Sequence, residues 1–120
     1  MMKMTYEREL EFARRMAEQA GDNARRIREH GVTAETKPDA SPVTIADKEN
    51  ERIIREAIEG EFPDDGILGE EGSSKQGSSR RRWIIDPIDG TRDFVRGNRF
   101  WCVLVALVDR EQESLVGVAH

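Results

Sequence analysis

Apolar residues recur at steps of three and four in the first half of the chain, which is the spacing of one helix face. The first stripe predicts a helix from Tyr6 to about Arg28, with charged residues on its other face and Gly31 as its C-terminal stop. The second stripe predicts a helix that opens near Thr44 and ends at Gly60. The apolar positions of the two stripes are Leu10, Ala13, Met16, Ala17, Ala20, Ala24 and Ile27, then Ala46, Ile53, Ile54, Ala57 and Ile58.

After the second helix the apolar residues form short runs between turn residues, a pattern typical of strands. The predicted strands are Ile67–Leu68, Trp83–Ile85, Trp101–Val108 and Leu115–Ala119. The third is a run of eight apolar residues and is therefore predicted to be buried on both faces. Residues 32–43 are predicted to be extended or looped chain, and Thr91–Gly97 a short helical turn. Helices followed by strands indicate an α+β fold in which two N-terminal helices pack on a mostly antiparallel sheet.

Residues 73–82 are polar and low in sequence complexity, and we predict a mobile loop there. Arg80, Arg81 and Arg82 at the end of this segment are compatible with anion binding. We favour a solvated loop end, because no aromatic residue alternates with the arginines.

The composition narrows the class of protein. The chain has 120 residues, of which 37% are apolar and 36% charged, enough for one well-solvated domain. Its formal net charge of −5 argues against a nucleic-acid partner. Its apolar runs fall far short of the ~20 residues that span a bilayer, and no secretory apolar segment follows Met1. The single cysteine, Cys102, lies inside an apolar run, so we expect a cytoplasmic location.

The last predicted strand runs to the end of the chain. An apolar strand at that point leaves an unpaired edge, which natural proteins usually cover. We therefore expect residues 1–120 to be the front part of a longer protein.

Two aspartates follow the predicted strand Trp83–Ile85 and are three residues apart. Pro87 keeps Asp86 extended and Gly90 permits a tight turn, so the carboxylates of Asp86 and Asp89 can converge just beyond the strand end. Two such charges about 4 Å apart repel by roughly 4 kcal/mol at an effective dielectric constant of 20. The pair must therefore protonate or hold a cation. A set of ligands that contains only oxygen atoms suits Mg²⁺. The alternative is that both aspartates cap the turn and the helix that follows.

Two upstream acidic stretches have the same ambiguity. Glu70 and Glu71 lie in a Gly-Glu-Glu-Gly turn after an apolar strand, and they either join the aspartates or form a charged surface loop. Asp47 follows Thr44 by three residues, which matches a helix capping box. Asp47 can cap the second helix and also take part in catalysis, because the two roles are compatible.

In their order and separations, the three stretches resemble the Mg²⁺-dependent, lithium-sensitive inositol monophosphatase family of phosphomonoesterases. The matching segments are Ser41–Glu49, Gly69–Glu71 and Trp83–Phe94. The resemblance implies a layered α/β sandwich, a small-molecule phosphate ester as substrate, and a homodimer. Residues 1–120 then form the N-terminal part of a sugar-phosphatase-type domain, and the absent C-terminal half supplies one more metal-binding aspartate. The fragment alone is accordingly expected to bind Mg²⁺ weakly and to hydrolyse little.

The resemblance also assigns metal ligands. Glu70, Asp86 and the backbone carbonyl of Ile88 would hold a first Mg²⁺. Asp86 and Asp89 would share a second Mg²⁺. Lys37 resembles the lysine of the family's mobile loop.

The catalytic and substrate-binding roles follow from the same resemblance. Backbone N–H groups of Gly90 and Thr91 would bind the phosphate of the substrate. The Thr91 hydroxyl, hydrogen-bonded to Asp47, would orient a metal-activated water beside Glu70 for in-line attack on phosphorus.

The substrate is less narrowly defined than the chemistry. Residues 92–97 and 101–107 look more like the histidinol-phosphatase branch than the inositol branch, and Asp93 stands where many inositol-specific members have Asn. Histidinol phosphate and inositol monophosphate are the leading candidates among small polyol, amino-alcohol and sugar phosphates.

Two other interpretations compete with this one. In haloacid dehalogenase-type phosphatases a D-x-D-G-T segment also follows a strand, but its aspartates are two residues apart and one is a covalent nucleophile. In the second alternative, the chain is a truncated module that keeps the fold without catalysis and serves in binding or assembly.

Overall fold

The computed structural model describes residues 5–39 and 42–120. Three helices and seven strands occupy this part of the chain. They are α1 (Glu7–Glu29), β1 (Glu35–Thr36), β2 (Pro42–Val43), α2 (Ile45–Glu61), β3 (Gly66–Gly69), β4 (Ser74–Lys75), β5 (Arg81–Asp89), α3 (Thr91–Arg96), β6 (Cys102–Asp109) and β7 (Ser114–Ala119). Both long helices and the short helix α3 lie where the sequence predicts them. Gly31 follows α1 with a φ of +87°, as expected of a helix stop.

Five strands form one sheet in the order β4-β3-β5-β6-β7. Strands β3 and β5 are parallel, whereas the other three neighbouring pairs are antiparallel. The mostly antiparallel α+β fold is therefore confirmed. Strands β1 and β2 form a separate antiparallel pair.

Helices α1 and α2 pack on one face of the sheet and enclose the core. Three aromatic rings lie at its centre, with ring centroids 5.1–5.2 Å apart: Phe12, Phe62 and Trp83. Phe12 was absent from the predicted stripe, whereas Leu10, which was included, is 39% exposed. Leu10 lies at the edge of the helix face whose centre contacts the sheet, so its side chain reaches solvent.

Strand β6 corrects the prediction of a strand buried on both faces. Its residues alternate, with Val103, Val105 and Leu107 fully buried and the intervening residues only partly buried. The helices cover only one face of the sheet, so an apolar run produces one buried face here.

The predicted loop over residues 73–82 is present only in part, since just residues 73 and 76–80 lie outside the strands. Part of this segment is β4, and its last two residues begin β5. Arg81 is mostly buried: its Nη2 lies 3.0 Å from Asp65 Oδ2 and its Nη1 2.9 Å from Glu9 Oε2. Two acids distant in sequence thus neutralise an arginine that local polarity alone would place in solvent.

Among the described residues, no helix combines the length and the apolar character that crossing a membrane requires.

Candidate active site

A bulge in β5 brings the two aspartates to one side of the sheet. Strand β5 continues through Asp89, and its register against β6 shifts after Asp86: Asp86 pairs with Leu104, whereas Asp89 pairs with Cys102. Three steps along β5 thus oppose two steps along β6. In a regular strand, residues three apart point to opposite faces, and the extra residue of a bulge removes that opposition. The carboxylates therefore lie within the strand and its bulge, not beyond the strand end as predicted.

One cavity of about 300 Å³ collects most of the predicted site residues. Glu70 comes from the turn after β3, and the others come from the end of β5 and the start of α3. The predicted residues that line the cavity are Glu70, Asp86, Ile88, Asp89, Gly90 and Thr91. Parallel pairing of β3 with β5 explains this convergence, since the C-terminal ends of parallel neighbours meet at one edge.

Gly90 shapes the turn between the bulge and α3. Its φ is +92°, and a Cβ there would lie 2.5 Å from the carbonyl oxygen of Phe100, so only glycine fits. Gly90 is also the N-cap of α3, and no side chain of the described residues caps the start of that helix. The alternative in which Asp86 and Asp89 cap the following helix is therefore wrong.

Asp47 lies behind the cavity and makes contacts on both sides. Its Oδ2 accepts hydrogen bonds from the backbone N–H of Thr44 at 2.8 Å and from the Thr44 hydroxyl at 2.6 Å, which completes a capping box for α2. Its Oδ1 accepts a hydrogen bond from the Thr91 hydroxyl at 2.8 Å. Asp47 is 1% exposed. Capping and contact with Thr91 therefore coexist, and the hydrogen bond that the family resemblance implied is present.

Asp86 is the most perturbed acid of the cavity. Burial, followed by the negative charges of Asp89 and Glu70, raises its pKa from 3.8 to about 6. Its Oδ1 is buried and has no hydrogen-bond partner within the described residues. A buried, unpartnered carboxylate oxygen surrounded by other carboxylates fits a hard divalent cation.

The carboxylates line the cavity without forming a compact cluster. Within residues 5–39 and 42–120, no three His, Cys, Asp or Glu side chains are close enough together to hold one ion. The Glu70 side chain is 58% exposed, and its Oε1 lies 3.8 Å from Nζ of Lys37. Mutual repulsion of like charges favours such a spread arrangement.

Glu71 differs from its neighbour. Its side chain is only 6% exposed, and both its carboxylate oxygens accept hydrogen bonds from Lys37 at 3.3 Å. Burial raises the pKa of Glu71, and the contact with Lys37 opposes that rise. Glu71 is therefore not part of a charged surface loop, and Glu70 is the acid of this turn with its side chain available to a ligand.

Cys102 is closer to the site than the sequence indicated. It lies on the partly buried face of β6, with Sγ 3.9 Å from Asp89 Oδ2. Burial and the charges of Asp89 and Asp86 raise the pKa of the thiol. The carboxylate and carbonyl oxygens remain the main ligand set of the cavity, with this thiol beside Asp89.

Two buried polar residues of α2 support the site and were missed by the sequence analysis. Glu51 accepts hydrogen bonds from the backbone N–H of Glu71 at 2.7 Å and of Ser73 at 2.9 Å, which fixes the turn that carries Glu70. Asn50 donates to the carbonyl of Pro87 at 3.2 Å, within the bulge. The signal was present: these residues lie three and four positions after Asp47, so they share its helix face.

Glu51→Gln is expected to loosen this turn. An amide keeps one acceptor oxygen, so one partly buried backbone N–H loses its partner and the free energy of unfolding falls by about 1–3 kcal/mol. Urea unfolding of the variant measures the loss. The control is Glu59→Gln, whose exposed pair with Arg55 contributes less than about 0.5 kcal/mol. Equal effects of the two variants would contradict the supporting role of Glu51.

The cavity thus offers oxygen ligands for a hard cation beside a hydroxyl that is hydrogen-bonded to a buried carboxylate. The model of the inositol monophosphatase family matches residues 5–120, and the chain belongs to that family. Membership in this family overturns the haloacid dehalogenase-type alternative.

Individual relatives refine the comparison. The chain is 42% identical over 100 residues to the histidinol-phosphatase of Chlorobaculum parvum. This match covers 82% of the chain and 39% of that protein. It is 47% identical over 75 residues to the histidinol-phosphatase of Mycobacterium tuberculosis, covering 62% of this chain and 29% of that protein. The fold superposes on the IMPase of Thermotoga maritima with a TM-score of 0.80 and 33% identity, over 92% of this chain and 42% of that one. The chain spans less than half the length of these relatives.

Proposed function

We propose that the protein containing this chain is a Mg²⁺-dependent phosphomonoesterase that acts on a small amino-alcohol, polyol or sugar phosphate. The observation that carries the proposal is the buried, unpartnered Oδ1 of Asp86, in a cavity that Glu70 and Asp89 also line. An uncompensated buried carboxylate is unfavourable in a folded protein, and a cation is the partner that its neighbours allow.

The proposed ligands are Glu70, Asp86, Asp89 and the carbonyl of Ile88. Divalent ions at such a site lower the pKa of water and offset the charge of a phosphate group. The Thr91 hydroxyl lies 2.8 Å from Asp47 Oδ1 and 3.2 Å from the carbonyl oxygen of Ile88. Donation of its single hydrogen to the nearer acceptor, Asp47, leaves its lone pairs free to accept a hydrogen bond from water. That arrangement holds one water in a fixed orientation.

The turn before α3 is the proposed phosphate-binding element. Backbone N–H groups of Gly90 and Thr91 lie at the wall of the cavity, and N–H groups at a helix start have no partner within the helix. The left-handed conformation of Gly90 fixes the direction of this turn.

Histidinol phosphate is the proposed first substrate and inositol monophosphate the second. The two curated relatives named above are histidinol-phosphatases, and this supports the preference for that branch. Asp93, which lines the same cavity, is an acid that a cationic amino-alcohol phosphate can approach favourably.

We assign the activity to the gene product that contains residues 1–120, and we propose that it acts as a homodimer. The 120-residue chain by itself is proposed to bind Mg²⁺ weakly and to release little phosphate, because the matched histidinol-phosphatases are more than twice as long.

Phosphate release from histidinol phosphate and inositol monophosphate tests the proposal. With Mg²⁺, the gene product is expected to turn over one of these esters, EDTA to abolish turnover, and added Mg²⁺ to restore it. Li⁺ is expected to inhibit. Turnover that survives EDTA would contradict the proposed metal dependence. Equal turnover by the isolated 120-residue chain would contradict the proposal that this part alone releases little phosphate.

A further inference from the structure

A second cavity lies at the opposite end of β5 from the candidate active site. Its volume is about 450 Å³, and it is built by β3, β4, the start of β5 and the turn after β6. It shares no lining residue with the active-site cavity. Arg82 in this cavity and Asp86 in the other are four residues apart on one strand, a span of roughly 13 Å.

The cavity is strongly basic in a chain whose net charge is −5. All five of its charged lining residues are cations: Lys75, Arg80, Arg81, Arg82 and Arg110. No acid is among the lining residues, all of which fall in the described range 66–110. Like charges gather in this way at a cost unless an anion offsets them.

Two of the five cations already have partners. Arg81 pairs with Asp65 and Glu9, and Nζ of Lys75 donates to the carbonyl of Pro63 at 2.6 Å. These two contacts hold the walls of the cavity.

The other three cations are available. Within the part of the chain that the structure describes, the guanidinium groups of Arg80, Arg82 and Arg110 pair with no acid. Nε of Arg82 is buried and has no hydrogen-bond partner there. Buried donors in folded proteins are normally paired with protein, ordered water or a ligand, so this N–H is open to an acceptor from outside the described residues.

The backbone around these arginines is closely packed. A Cβ on Gly77 would lie 2.3 Å from the backbone nitrogen of Gly66, and a Cβ on Gly66 would lie 3.0 Å from the carbonyl of Lys75. The backbone N–H of Arg110 donates to the carbonyl of Arg80 at 3.0 Å, which ties the two exposed arginines together. The cations are thus presented by a fixed framework.

We propose that this cavity is a second ligand site, which binds a small anion with more than one phosphate group. Guanidinium groups match phosphate oxygens in pairs, and three of them outweigh the charge of a single monoester. The cavity size is that of a small-molecule site. This inference does not depend on the proposed phosphatase activity.

Inorganic pyrophosphate is the probe, and calorimetric titration in EDTA is the measurement. EDTA removes divalent ions, so the acidic cavity repels the probe and only the basic cavity attracts it. Arg82→Gln and Arg110→Gln are each expected to weaken binding by about tenfold or more. Arg110 is exposed, so its variant tests the proposal even if Arg82→Gln unfolds the protein.

Arg26→Gln is the matched control, because it removes an exposed cation from the end of α1. Its affinity for pyrophosphate is expected to stay within about twofold of the unaltered protein. Absence of binding by the unaltered protein, or equal weakening by all three variants, would overturn the proposal. In a second titration, Mg²⁺ replaces EDTA. Pyrophosphate that binds only under that condition, and not to Asp89→Asn, would lie in the acidic cavity and would also overturn the proposal.

Discussion

Asp89→Asn and Glu70→Gln are each expected to lower Mg²⁺-dependent phosphate release by the gene product by at least about 100-fold, since loss of residues that merely support a metal ligand already reduces activity 10- to 100-fold. Both changes remove an anionic oxygen ligand and keep the shape of the side chain. Both side chains are exposed, and their polar contacts with other described residues are weak: Glu70 lies 3.8 Å from Nζ of Lys37, and Asp89 has only the long thiol contact. Thermal unfolding should therefore be unchanged or slightly improved.

The assay is initial phosphate release at saturating Mg²⁺, with far-UV circular dichroism to follow folding. Asp64→Asn is the control, because it makes the same chemical change at an exposed carboxylate outside the cavity. It should retain activity within about twofold. Near-normal turnover in either active-site variant, with folding intact, would show that the ligand assignment is wrong.

Trp83→Ala is expected to have the largest effect on stability. Trp83 is 0% exposed and contacts the rings of Phe12 and Phe62. Truncation of such a side chain lowers the free energy of unfolding by about 3–5 kcal/mol. It also removes the indole N–H that donates to buried Asp65 at 3.0 Å. Because domains of this kind have roughly 5–15 kcal/mol in all, the variant should lose a large fraction of its stability and unfold at a clearly lower urea concentration.

Urea unfolding followed by circular dichroism measures this loss. Trp83→Phe separates the contribution of ring burial from that of the hydrogen bond, since phenylalanine keeps a buried ring but has no donor to Asp65. Asp65 retains its contacts with Arg81 and Ser79, so we expect a smaller loss of about 1–2 kcal/mol. A Trp83→Ala variant that unfolds at the same urea concentration as the unaltered chain would show that the aromatic cluster is not the centre of the core.

The helices and most of the site could be predicted because each depends on local sequence. The stripes of α1 and α2 have helical spacing, and the Thr44–Asp47 capping box marks the start of α2. The acids of the cavity were found from their positions after strands and from a family resemblance. That membership is now shown by the family match over residues 5–120, whereas the roles of Glu70, Asp86 and Asp89 stay predictions.

What could not be predicted depends on tertiary contacts. The bulge at Asp86 arises from pairing with β6, so local propensity gives no sign that β5 continues to Asp89. Arg81 is mostly buried because it forms ion pairs with Asp65 and Glu9, which are both distant from it in sequence. Glu51 lies on the buried face of α2 and its role appeared only when the turn after β3 packed against it.

Anomalous diffraction from crystals of the gene product grown with Mn²⁺ tests the central claim most directly. Mn²⁺ prefers the same octahedral oxygen environment as Mg²⁺ and can be located by its own scattering. We expect density in the acidic cavity, with oxygens of Glu70, Asp86 and Asp89 at about 2.0–2.6 Å from the ions. Mn²⁺-supported turnover without density at these three residues, or Glu70 turned away beyond coordination distance, would contradict the account.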